Sequence, residues 1–61
     1  MMNSRYPWEQ LKPLDSFFVE GFPAERVKKE VLKDAGNGGH MVRARPGILN
    51  GKYGVLFTLL E

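Results

Sequence analysis

The chain has 61 residues, no cysteine, one histidine and a formal net charge of +2. That length allows one domain, and a domain this small buries only about 60% of the surface of its unfolded chain, so a monomer has a thin stability margin. Without cysteine, disulfide staples, thiolate zinc sites and thiol nucleophiles are excluded, and what is left to reinforce such a chain is a very good core or a second copy of itself.

Hydrophobic residues make up 43% of the sequence, the proportion of a folded domain rather than of a disordered segment. No run approaches the ~20 apolar residues of a membrane span, and Met1-Met2-Asn3-Ser4-Arg5 is not followed by the apolar core of a signal peptide. The expected compartment is the cytoplasm of the producing or infected cell. Charge is unevenly placed. Residues 1–39 carry six Lys/Arg and six Asp/Glu, whereas residues 40–61 carry Arg43, Arg45 and Lys52 against Glu61 alone. The basic excess therefore belongs to the C-terminal part, where it either meets an acidic partner such as nucleic acid or keeps a strand edge soluble.

In chain order, residues 1–13 read as an N-terminal arm with one helical turn. Pro7 suits a first helical position and Pro13 forbids a longer helix. Trp8 and Leu11, three apart, point the same way and cap one end of the core; the alternative is that Trp8 is an exposed binding anchor. Leu14 to Glu20 reads as the first strand, with Phe17 and Val19 on one face and Phe18 on the other. Pro23 to Ala35 reads as the one helix. Its apolar stripe is Val27, Val31 and Ala35, with Ala24 and Leu32 beside it, and a mixed-sign face of Arg26, Lys28, Lys29, Glu30 and Lys33 looks outward.

Gly36-Asn37-Gly38-Gly39 follows the helix. A phosphate loop opens a helix, where free N–H groups meet the anion, whereas this run closes one, so it reads as a left-handed C-cap. Asn50-Gly51 is a two-residue hairpin turn signal. It pairs Leu49 with Lys52, Ile48 with Tyr53, Ala44 with Phe57 and Val42 with Leu59. Pro46-Gly47 is expected to loosen this ladder or to put a bulge in it. The pairing gives one face to Val42, Ala44, Ile48, Tyr53, Val55, Phe57 and Leu59, which the helix is expected to cover. The other face holds Met41, Arg43, Arg45, Leu49, Lys52, Leu56, Thr58 and Leu60. The fold class is therefore α+β: a small single β-α-β-β domain, a three-stranded antiparallel-type sheet with one helix on one face, and a dimer. Phe18, Met41, Leu56 and Leu60 are left on the uncovered face with the arginines, as a partner or dimer interface.

The residues for catalysis are missing. His40 is the only imidazole and sits beside the glycine cap, with Asp34 the one acid near it in sequence. Ser4, Ser16 and Thr58 have no partner that the sequence points to, and Ser16 is expected to bond locally to backbone. General acid–base or nucleophilic chemistry needs a base oriented by a third group, a metal or paired carboxylates. The expectation is a non-enzyme with no cofactor, no metal and no small-molecule substrate.

Tyr6-Pro7-Trp8 with Leu11, then Asp15-Ser16-Phe17-Phe18-Val19, then Gly39-His40-Met41-Val42-Arg43-Ala44-Arg45 and Gly54-Val55-Leu56-Phe57, resemble a group of small uncharacterised phage-encoded proteins. These open with a YPW..L..GDSFFV motif, followed by a short helix, a G..F..R strand and a closing strand rich in Val, Trp and Arg. The resemblance covers residues 6–60 and implies phage or prophage origin. Leu14 stands where that group has glycine, and Leu56-Phe57-Thr58-Leu59-Leu60 stands where it tends to carry Arg and Trp.

Two partner classes follow. In the first, the chain is a nucleic-acid-binding accessory protein whose basic hairpin presents Arg43, Arg45, Lys52 and Tyr53, the tyrosine as a stacking residue. In the second, it binds and inhibits or redirects a host protein through its exposed apolar sheet face or edge. A homodimer is expected with either, and a membrane partner with neither.

Overall fold

The computed structural model describes residues 6–60. Residues 1–5 of the expected arm, Ser4 among them, and Glu61 lie outside the described residues. The elements run in order as a 3-10 turn at Trp8–Gln10, β1 at Ser16–Glu20, α1 at Ala24–Asn37, β2 at Val42–Leu49 and β3 at Lys52–Leu59. The strands form one antiparallel sheet in the order β1-β3-β2, so the strand latest in sequence is the central one. Among the described residues no helix is long and apolar enough to cross a membrane.

The hairpin forms in the register that Asn50-Gly51 dictates, with Val42 opposite Leu59, Ala44 opposite Phe57 and Leu49 opposite Lys52. Asn50 and Gly51 both take positive φ, 53° and 78°, as a type I′ turn requires. No bulge occurs at Pro46-Gly47: Pro46 pairs with Val55 and Gly47 with Gly54 in unbroken register. The reason lies in the alternation of antiparallel bonding. The Leu60 N–H donates to the Met41 carbonyl at 2.8 Å, so odd-numbered residues of β2 bond β3 while Val42, Ala44, Pro46 and Ile48 turn their amide positions to the free edge. Proline there removes no ladder bond.

α1 starts one residue later than expected, with Pro23 as its N-cap, and runs two residues further, through Gly36 and Asn37. The Phe22-Pro23 peptide is cis. The helix ends in a Schellman motif: the His40 N–H donates to the Ala35 carbonyl at 2.9 Å, the Gly39 N–H to the Gly36 carbonyl at 3.1 Å, and Gly39 takes φ +76°. The expected left-handed cap is present, at Gly39 within the glycine run.

The core lies between α1 and the sheet. Val27, Val31 and Ala35 meet Val55 and Phe57, Leu59 is buried as well, and Val31, Val55 and Phe57 are fully enclosed. Ala24 and Leu32 pack beside them. Two residues assigned to this face behave differently. Ile48 and Tyr53 are 61% and 58% exposed, because the hairpin tip projects past the start of the helix and, among the described residues, no helix covers it.

Trp8 closes the other end of the core, and at 4% exposure it is not a surface anchor. Its ring meets Phe17 edge-on at 5.3 Å and stacks on His40 at 5.5 Å, and its Nε1–H donates to Asp34 Oδ2 at 2.6 Å. Leu11 and Tyr6 pack on the same cluster. β1 begins at Ser16 rather than Leu14. The preceding residues form a turn in which the Asp15 N–H donates to the Lys12 carbonyl at 2.9 Å and Leu14 takes φ +76°. With Pro13 second and a positive φ third, this is the pattern of a type II turn.

Candidate functional site

The sheet face opposite α1 is bare, and its side chains stand in rows across the three strands. Register places Ser16, Thr58 and Arg43 in one row and Phe18, Leu56 and Arg45 in the next. A further row holds Glu20, Gly54 and Gly47, and Lys52 lies opposite Leu49 toward the tip. The Met41–Leu60 bond extends the ladder at the other end.

Within this face Phe18 is half-buried because its ring lies across Gly54. A Cβ at Gly54 would sit 2.6 Å from Phe18 Cζ and collide with the Val19 carbonyl oxygen of the neighbouring strand. The absent side chain thus lets β1 carry a large ring flat against β3. Ser16 and Thr58 partner each other, Oγ to Oγ1 at 2.8 Å, and not the local backbone. Asp15 makes the local bond in its place, accepting the Lys12 N–H on Oδ2 at 3.0 Å. Leu56, at the middle of the face, is 38% exposed, and Met41 is 55% exposed. Leu60 is half-buried.

Of the basic residues, Lys52 lies 3.9 Å from Glu20, an exposed pair of small energetic weight. Arg43 and Arg45 are exposed, and among the described residues neither has a carboxylate partner. The geometry therefore brings Arg43, Arg45 and Lys52 onto one face with Phe18, Met41, Leu56 and Leu60. Tyr53 is not among them. It stands on the α1 side of the sheet, its ring 5.5 Å from that of Phe22, so it cannot stack a group held by the two arginines. The aromatic that shares their face is Phe18, one row-mate of Arg45; alternation along β1 was enough to place it there, but not to show that β1 neighbours β3.

A second exposed feature sits at the hairpin tip on the α1 side. Phe22, Ala24, Pro46, Ile48 and Tyr53 line an open apolar hollow of about 280 Å³. Phe22 is 75% exposed there. Proline at position 46 and the overhang of the tip create it, and neither follows from periodicity.

His40 is held against Trp8 and at the helix cap, where it also limits its neighbour: a Cβ at Gly38 would sit 2.8 Å from its ring. It lies outside the bare face. The face offers three cations, of which Lys52 lies beside Glu20, with two hydroxyls, one aromatic ring and apolar ground, which suits binding. No family model matches the chain, and comparison with curated proteins and with solved structures finds no match.

Proposed function

We propose that this chain is a small non-enzymatic binding protein that takes a nucleic-acid strand across its bare sheet face. The observation that carries this reading is the pair Arg43 and Arg45, exposed, unpaired among the described residues, and one strand away from Leu56 with Phe18 beyond it. Guanidinium groups along one edge track phosphates, while a ring and a leucine beside them receive bases, a combination that suits a single strand because every base has a face to stack. Ser16 and Thr58 add hydroxyls in the adjoining row. The resemblance of the opening motif to phage-encoded proteins fits an accessory role of this kind.

The test is binding of labelled single-stranded and duplex oligonucleotides at low and physiological salt. Two phosphate contacts per chain give a slope of about −1.4 for log K against log salt on a single strand. Changing Arg43 and Arg45 together to Ala is expected to weaken binding at least about tenfold and to leave the thermal midpoint unmoved, since both side chains are exposed. Binding that survives the double change, or that ignores salt, removes this surface from consideration.

A different observation favours a protein partner. Phe22, Ile48 and Tyr53 are each more than half exposed around the tip hollow, and apolar anchors of this type serve protein contacts. In this reading the chain captures one host protein, and the complex tolerates salt that strips nucleic acid from the arginines.

A further inference from the structure

We propose that the free edge of β1 pairs with β1 of a second copy, antiparallel and centred on Phe18, to join the two sheets into one of six strands. This does not depend on the nucleic-acid reading. Three observations carry it.

The first is which backbone groups are idle. The Gly21 N–H donates to the Tyr53 carbonyl at 2.9 Å, and the Leu59 N–H donates to the Asp15 carbonyl at 2.9 Å. Odd-numbered positions of this segment thus face β3, and alternation turns the N–H and C=O of Ser16, Phe18 and Glu20 outward. Among the described residues no backbone group reaches them.

The second is the contrast between the two edges. β2 is guarded: Pro46 deletes an outward donor in the middle of the strand, and Arg43 and Arg45 stand along it. β1 has no proline, no lysine or arginine and no bulge. The guard on β2 also prevents β1 of one copy from pairing with β2 of the next, which would propagate without closing, and leaves the closed two-fold pairing of β1 with itself.

The third is that β1 is unfinished on its sides as well. α1 lies over β3 and β2, so Phe17 and Val19 stay only partly buried while Val55 and Phe57 beside them are enclosed. Two-fold pairing about Phe18 sets Phe17 opposite Val19 of the other copy, Phe18 opposite its own equivalent, and Ser16 opposite Glu20. The edge is self-complementary: its one charge, Glu20, meets a hydroxyl residue and not a second carboxylate.

The experiment uses the full chain. Sedimentation across a concentration series is expected to give a species of twice the 6.9 kDa chain mass, and hydrogen exchange is expected to slow at Ser16, Phe18 and Glu20 as the dimer fills. Two substitutions at one site then fix the register. Ser16→Glu places a carboxylate opposite Glu20 of the other copy, twice per dimer, and is expected to raise the dissociation constant about tenfold; Ser16→Lys reverses the sign and is expected to lower it several-fold. Both lose the same Thr58 hydrogen bond, so any general damage moves them together. A monomer at every concentration, a dimer whose β1 edge amides exchange freely, or two variants that shift in the same direction each overturns the proposal.

Discussion

Leu14 is the residue most at odds with its backbone. It takes φ +76° in the third position of a turn that suits glycine, and its side chain is 75% exposed, so it contributes little burial in return. A left-handed conformation costs an L-residue about 1–2 kcal/mol, offset in part by the extra chain entropy that glycine loses on folding. Leu14→Gly is accordingly expected to stabilise the fold by about 0.5–1 kcal/mol and to raise the thermal midpoint by a few degrees. A lower midpoint would mean that the Leu14 side chain holds the turn. Strand propensity across residues 14–20 hides this turn in the sequence. Nothing local identifies the Trp8–Asp34 bond either, because its partners are 26 residues apart. The resting place of the His40 ring on Trp8 is equally a matter of tertiary closure.

Among the elements, the register of the hairpin was legible, since one Asn-Gly turn sets every pair behind it, whereas the unbroken pairing at Pro46-Gly47 was not. The helix was legible in its stripe and indistinct at its end, because Gly36 and Asn37 read as loop residues yet lie within the last turn. That end yields opposed expectations for neighbouring glycines. Gly36 has helical geometry and open space around the position of a Cβ, so Gly36→Ala is expected to add about 0.5–1 kcal/mol of stability. Gly39 has φ +76°, so Gly39→Ala is expected to remove about 1 kcal/mol. Urea titration of both variants measures the pair, and equal shifts would contradict the cap geometry. Ile48 and Tyr53 show the limit of face patterns: alternation assigned them to the helix side correctly, but only the length of α1 decides whether a helix lies there.

For the molecule as a whole, the class and the helix-on-sheet arrangement follow from element order, whereas the central position of β3 does not. The three strands could be ordered otherwise with the same faces. That order decides the candidate site, because it sets Phe18 beside Leu56 and puts Arg45 on the far edge. Stability rests on few side chains, seven of those among the described residues being buried and apolar. At about 0.05–0.15 kcal/mol per residue a domain of this length has a few kcal/mol in hand. Trp8→Ala, which removes a wall of the core and the indole donor to Asp34, costs about 3–5 kcal/mol. That variant is expected to be largely unfolded at 37 °C by circular dichroism. A cooperative transition near that of the parent would mean that residues 6–11 decorate the core instead of closing it.

The middle place of β3 also sets a timetable. Translation runs from the N-terminus, so β1 and α1 are synthesised before the strand that joins them exists. Ser16 and its partner Thr58 are 42 residues apart, a gap of roughly two to eight seconds at the usual 5–20 residues per second. For that interval Phe17, Phe18 and Val19 are an apolar segment with no sheet to enter, and the nascent chain depends on its solubilising charges or on chaperones. Folding is thus a late, single event, triggered when the hairpin emerges and offers β1 its place.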